Sequence, residues 1–270
     1  MSYKIVIPSY HRHNVIQKNT LAYLHNNNID PMNIWIFIVE EDLLLYNEIP
    51  KHLYNQLIVG EKGLVHQRAF IDRYFEPSTH ILSFDDDIKD LLFTVETYDT
   101  LDIFFRFCFE KCIEEHAFIF GLYPVGNPFF AQRNGLYSTH LTYICGAVFG
   151  YINRTPTIVP IITMSTGDGN KEDVERSILY FLQDGKVLRF NTVCIKTKYY
   201  GVVGGLGTLQ DRILPMKLNS ELLHKQYPMI TKIKIRKNGL YELVLSDHSG
   251  GRLLLKKTRE YLVPDNNGVL

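Results

Sequence analysis

Apolar positions fall along the chain in short runs separated by polar loops, and the runs alternate between two periods. Tyr3 to Pro8 is a β-rich run closed by a proline. After the polar Ser9-Tyr10-His11-Arg12-His13 stretch, Val15, Ile16, Leu21 and Leu24 recur at helical spacing. Ile34 to Val39 is apolar without interruption, as in a strand buried on both faces. Leu57-Ile58-Val59 predicts a third strand, Gly60 to Gly63 a loop, and Leu64 to Phe75 a helix ended by Pro77. His80 to Phe84 predicts a fourth strand that runs straight into Asp85-Asp86-Asp87. Strands alternating with helices predict an α/β class with a doubly wound, mostly parallel sheet, whose ligands bind beyond the carboxyl ends of the strands. The loops between these elements then converge on one crevice.

Further along, the spacing predicts a helix from about Leu101 to Ala117 and strands near Phe118 to Tyr123 and Thr142 to Tyr151. A polar loop through Gly167-Asp168-Gly169-Asn170 leads into a helix carrying Val174, Ile178 and Phe181. The glycine-rich run Gly201 to Gly207 precedes a helical segment to about Tyr227. Ile230 to Leu255 reads as a small C-terminal β-hairpin region turning at Asn238-Gly239, with a second turn at Ser249-Gly250-Gly251.

With 46% hydrophobic and 21% charged residues over 270 positions, the composition excludes disorder and fibrous repeats. Cys108, Cys112, Cys145 and Cys194 form no C-x-x-C pair, so buried thiols in a reducing compartment are expected. Met1-Ser2-Tyr3-Lys4-Ile5 lacks a signal-peptide pattern, and no apolar run approaches the roughly 20 residues of a membrane span. A soluble cytoplasmic protein is the expectation. The 29 Lys and Arg balance 29 Asp and Glu, which argues against a protein that coats nucleic acid by bulk charge.

The acidic triplet is the sharpest chemical feature. Three consecutive carboxylates repel one another unless a hard cation or basic groups offset them, and extended backbone would turn Asp85 and Asp87 the same way and Asp86 the other. A solvated acidic turn is the plainer alternative. Tyr10 offers a ring to a nucleobase and Arg12 a planar fork to phosphate or ribose, although a strand-to-helix loop can carry both with no ligand. Neither glycine-rich phosphate-loop pattern is present. Glu40, Lys62, His66, Gln67 and Arg68 flank the same prospective crevice, and Arg68 could equally pair with Asp72 one helical turn on. Glu172 and Asp173 are placed either for general base chemistry or simply for the first turn of a helix. His224 is a candidate metal ligand, while Gly204 and Gly205 allow close approach of a substrate. Ser9 and Ser83 have no recognisable His and Asp partners, which disfavours a nucleophilic hydrolase.

In order, I-P-S-Y-x-R, a carboxylate after the second strand, G-x-x-x-x-R in Gly63 to Arg68, F-D-D-D-I and a later E-D resemble the GT-A (nucleotide-diphospho-sugar transferase) glycosyltransferases over residues 3 to 180. Leu64 to Ala69, Phe84 to Ile88 and the Gly-Gly near 204 make the chain most similar to the TET-associated glycosyltransferases. These phage and viral relatives of the base J glucosyltransferase modify hydroxymethylated pyrimidines in DNA. The resemblance implies that Pro8, Ser9, Tyr10, Arg12, Glu40 and Arg68 hold the nucleotide of a UDP-sugar. It further implies that Asp85 and Asp86 reach the ribose or a metal-bound water, and that Asp87 binds Mn²⁺ or Mg²⁺ across the diphosphate. Asp173, with Glu172 beside it, matches the base of inverting members; a retaining course stays open if Asp173 only starts a helix. Residues 1–214 would form the catalytic domain and 215–270 an acceptor-side extension. That extension holds ten Lys and Arg against five Asp and Glu, a net +5, which leaves −5 on residues 1–214. Lys232, Lys234 and Arg236 alternate on one strand face and suit a phosphate backbone, or an ordinary solvated face. The remaining alternatives are a protein, lipid or glycan acceptor, a non-catalytic nucleotide-sugar or DNA-binding module, and a carboxylate-metal nuclease.

Overall fold

The computed structural model describes residues 1–95, 98–126, 135–166, 169–197 and 208–247. The first strands are β1 (Lys4–Pro8), β2 (Ile34–Ile38), β3 (Gln56–Val59) and β4 (His80–Phe84), and they are mutually parallel in the order β3-β2-β1-β4. Beyond β4 the sheet continues through β5 (Asp90–Phe93), β6 (Ile119–Tyr123), β7 (Tyr137–Ser138), β8 (Val148–Ile152) and β9 (Leu188–Lys196). The full order is β3-β2-β1-β4-β8-β6-β9-β5, with β7 also on β9. β8 runs antiparallel to both β4 and β6, whereas β6 and β9 are parallel. The expected α/β sheet therefore forms, with its parallel half built from the first four strands.

Both faces of this sheet are covered, and the period of two explains how. Ile5 and Ile7 enter one buried cluster with Phe104, Phe105 and Phe109 of the helix Leu101–Glu115, while Val6 between them joins Ile71, Ile178 and Phe181 on the other face. Each of these fully buried aromatic side chains contributes about 1.5–3 kcal/mol relative to exposure. The hairpin of β10 (Thr231–Ile235) and β11 (Tyr241–Leu245) turns through Gly239 at φ +81°, a left-handed conformation that suits glycine. Leu223, Ile230 and Leu243 seat the helix Leu209–Gln226 and this hairpin on the second cluster. The turn expected at residues 249–251 lies outside the described residues. No described helix is long and apolar enough to cross a membrane.

The first helical stretch is irregular. It runs as α-helix His13–Ile16, a π turn Gln17–Leu21, and α-helix again Ala22–Asn26. Thr20 and Leu21 of the π turn are buried, and Thr20 Oγ1 bonds the backbone of the acidic triplet at Asp85 O.

Candidate active site

The loops after β1 and β4 and the helix starts at Leu64 and Glu172 border one cleft of about 1110 Å³ at the carboxyl ends of the parallel strands. Asp85 to Asp87 form its floor. The Asp85 N–H donates to Ala147 O at 2.8 Å, prolonging the β4–β8 pairing by one residue before the chain turns. Asp86 is buried: Ser9 Oγ donates to its Oδ2 at 2.6 Å and Arg12 Nη1 to its Oδ1 at 3.0 Å. Burial pushes the Asp86 carboxyl up to about 6, opposed by Arg12 and Ser9. Asp87 accepts from Thr197 Oγ1 at 2.7 Å and lies 3.5 Å from Arg12 Nη1. The Asp85 side chain keeps 39% of its surface open to the cleft. Its carboxyl is raised to about 7 by desolvation, with Arg68 pulling down and Asp87 and Asp86 adding to the rise. Asp85 and Asp87 are thus the more open pair, and Asp86 is spent on the wall.

Several supports of this floor escaped the sequence reading because their partners are distant along the chain. The buried Tyr46 hydroxyl stands 2.6 Å from Ser9 Oγ and accepts from the Arg12 N–H at 3.0 Å. Buried Asp42 accepts from the His11 N–H at 2.7 Å and meets its Nδ1 at 2.7 Å, pinning His11 at φ +54°. Gln67, which the sequence did place beside the crevice, bridges the end of β2 and the loop after β3, donating to Ile38 O at 3.1 Å and accepting from the Glu61 N–H at 2.7 Å.

The side wall is built on a buried ion cluster. Arg68 Nη2 donates to Gly146 O at 2.8 Å and lies 3.4 Å from Asp85 Oδ1, while its Nη1 pairs with Glu172. The second oxygen of Glu172 pairs with Arg176, and both guanidiniums lie over the Phe149 ring, at 5.2 and 3.9 Å from its centroid. Burial lowers the Arg68 guanidinium to about 10, with Arg176 adding repulsion. Glu172 is therefore committed to two arginines, and Arg68 does not form the Asp72 pairing that its helical spacing allows. Asp173 faces the cleft: its Oδ2 accepts from the Tyr143 hydroxyl and from the Gly146 N–H at 3.1 Å, and its Oδ1 from the Val174 N–H at 2.9 Å.

At the rim, Pro8 and Tyr10 line the cleft, and Lys62 Nζ sits 5.5 Å from the Tyr10 ring centroid and 2.8 Å from Glu41. Glu40 is exposed and outside the lining, so the structure does not bring it to the site. β11 forms the opposite wall. Arg236 lines it and is bonded to Glu242 at 2.9 and 3.1 Å, whereas Lys232 and Lys234 are exposed on the paired strand. His224 sits 2.9 Å from Thr231 Oγ1 at the base of the hairpin, away from the cleft lining and the carboxylates it was expected to join. Its place late in a helix brings it to the hairpin rather than over the site. Gly204 and Gly205 lie outside the described residues.

Among the described residues, no three His, Cys, Asp or Glu side chains are gathered so as to hold a metal ion by themselves. A hard cation such as Mg²⁺ or Mn²⁺ ordinarily takes one or two carboxylates and completes its octahedron with phosphate oxygens and water. Asp87 and the partly open Asp85 fit that donor set.

No protein-family model matches the chain, and no curated protein does. Among solved structures the chain is similar to S. aureus TarS, at 12% identity and a TM-score of 0.45, over 83% of this chain and 40% of TarS. It is also similar to a mycobacterial protein, at 8% identity and a TM-score of 0.48, over 90% of this chain and 83% of the other. A third likeness is to 4-diphosphocytidyl-2C-methyl-D-erythritol synthase of Anaerococcus prevotii, at 10% identity and a TM-score of 0.40, over 82% and 98% respectively. The chain thus spans less than half the length of TarS. These are likenesses of chain path, and the chemistry rests on the residues of the cleft.

Proposed function

We propose that the cleft binds a nucleotide-diphospho-sugar, UDP-glucose in the first instance, and transfers the sugar to an acceptor hydroxyl with inversion. The carrying observation is the pairing, in one cleft, of an open acidic turn with a separate carboxylate, Asp173, fixed on the facing helix start. Tyr10 and the Lys62 ammonium present a face and a charge to the nucleotide, and Arg12 holds Asp86 and Asp87 in place beneath it. Asp85 and Asp87 would hold Mn²⁺ or Mg²⁺, which when bound neutralises charge on the departing diphosphate. Asp173 accepts the proton of the acceptor hydroxyl as that oxygen attacks the anomeric carbon. Two donors on its Oδ2 orient the carboxylate for this step.

The acceptor in this reading is a 5-hydroxymethyl-pyrimidine in DNA. An extruded base needs a deep cleft with a cationic rim, and the exposed Lys232 and Lys234 on β10 lie on the strand paired with the cleft-lining β11. Incubation with UDP-glucose, Mn²⁺ and hydroxymethylated DNA, followed by mass spectrometry of the nucleosides, tests it. A hexose adduct is expected, and no adduct with any common donor sinks the DNA claim. A second reading keeps the donor chemistry and moves the acceptor to a protein, lipid or glycan. It is favoured by Arg236, whose charge at the cleft wall is offset by Glu242. Donor hydrolysis stimulated by such acceptors and indifferent to DNA selects it.

A further inference from the structure

The backbone of Asp85 to Ile88 makes a four-residue turn, and such turns ordinarily close by a hydrogen bond from the N–H of the fourth residue to the carbonyl of the first. Here a hydroxyl from elsewhere in the chain bonds both of those groups. Thr20 Oγ1 donates to Asp85 O at 2.7 Å and accepts from the Ile88 N–H at 3.0 Å, so one side chain ties the two ends of the turn. Thr20 is completely buried, and it stands in the π turn Gln17–Leu21. In a regular helix a threonine hydroxyl usually bonds back to the preceding turn; the extra residue of a π turn changes the helix phase, and π turns concentrate at functional sites.

We propose that Thr20 is a positioning residue that clamps the acidic turn. By bonding both Asp85 O and Ile88 N, the hydroxyl fixes the conformation of the turn, and with it the separation and direction of the Asp85 and Asp87 carboxylates. The π turn is the device that delivers the hydroxyl. This inference rests on the proposed donor site for its functional consequence, though not for its geometry.

Thr20→Val keeps the shape and removes both hydrogen bonds, Thr20→Ser keeps both, and Thr20→Ala removes them without adding bulk should valine fail to fold. Mn²⁺ binding, read by the loss of free-ion EPR signal in the presence of UDP-glucose, is expected to weaken about tenfold or more in the valine and alanine variants and to stay within about threefold in the serine variant, consistent with loss of paired buried hydrogen bonds. Crystal structures are expected to show the Asp85 and Asp87 carboxylates displaced in Thr20→Val and Thr20→Ala and unmoved in Thr20→Ser. Valine and alanine variants that bind Mn²⁺ like the unaltered protein, or whose carboxylates stay in place without the hydroxyl, overturn the role of Thr20. If the unaltered protein binds no Mn²⁺ with UDP-glucose, the donor-site reading fails instead, and the carboxylate positions in the variant crystals still decide whether Thr20 positions the turn.

Discussion

Glu172 and Asp173 are adjacent carboxylates with opposite surroundings, and the difference assigns them different consequences on mutation. Glu172 lies between the guanidiniums of Arg68 and Arg176 and is buried. Replacing it by Gln strands two buried cations, so Glu172→Gln is expected to cost about 3–5 kcal/mol in urea unfolding. Asp173→Asn keeps the shape and most hydrogen bonds of a residue open to the cleft; it is expected to unfold like the parent, bind donor unchanged, and lose about 10²–10⁴-fold in turnover. A non-catalytic binding module would show no turnover to lose, and unchanged turnover in Asp173→Asn would remove Asp173 as the base. Asp72 supplies a pH dependence of stability. Burial raises its carboxyl to about 6 from an ordinary 3.8, with the Tyr151 hydroxyl bond and Arg176 opposing. A raised carboxyl binds its proton more tightly when folded, so its contribution is complete below pH 4 and is lost as pH rises from about 4 to 6. For a half-buried side chain this amounts to about 1–2 kcal/mol. Denaturation curves at pH 4 and 6.5 should show that fall in the parent and a flatter response in Asp72→Asn.

At the scale of elements, Gly146 follows from the same cluster. A Cβ at this position would stand 3.2 Å from Arg68 Nη1, from Glu172 Oε1 and from the Asp173 Cβ. Arg68 and Glu172 are clamped by their ion pairs, so they have little room to yield. Gly146→Ala is expected to cost about 1–3 kcal/mol and to lower turnover by at least about tenfold through displaced Asp173, as kinetics and urea titration of one sample would show. Much of the scaffold around this cluster was legible because local pattern decides it. Ile34 to Val39 had to be buried on both faces, and a proline and polar loop had to end β1. β9, the longest described strand, was not recognised. Arg189 and Asn191 interrupt its apolar run, and Asn191 is nonetheless fully buried, bonding to Ser138 and, through its N–H, to Leu136 O. β5 begins three residues after the acidic triplet, where the sequence pattern predicts no element. The triplet and Asp173 were legible as acids in the right order, but the partners of Arg68 and the role of Thr20 depend on contacts 104 and 65 residues apart, which no spacing rule reaches.

For the whole molecule, charge limits how DNA can be held. The zero formal balance hides a negative residues 1–214 and a positive residues 215–270, and four of the ten basic residues in the latter lie beyond the described chain, at 252, 256, 257 and 259. Within the described part, Lys232 and Lys234 are exposed beside the cleft wall, while Arg236 is already paired with Glu242. A duplex gripped by bulk charge would need many released counterions; a duplex docked around one extruded base needs few. Each phosphate contact contributes about 0.9 to the slope of log affinity against log salt, so replacing both lysines by Ala should reduce that slope by about 2. Turnover on a free hydroxymethylated nucleoside should be unchanged by the same double substitution, because neither side chain lines the cleft. A slope that does not move would place the DNA contacts elsewhere on the chain. Loss of nucleoside turnover would instead mean that β10 shapes the cleft through β11, its partner in the hairpin.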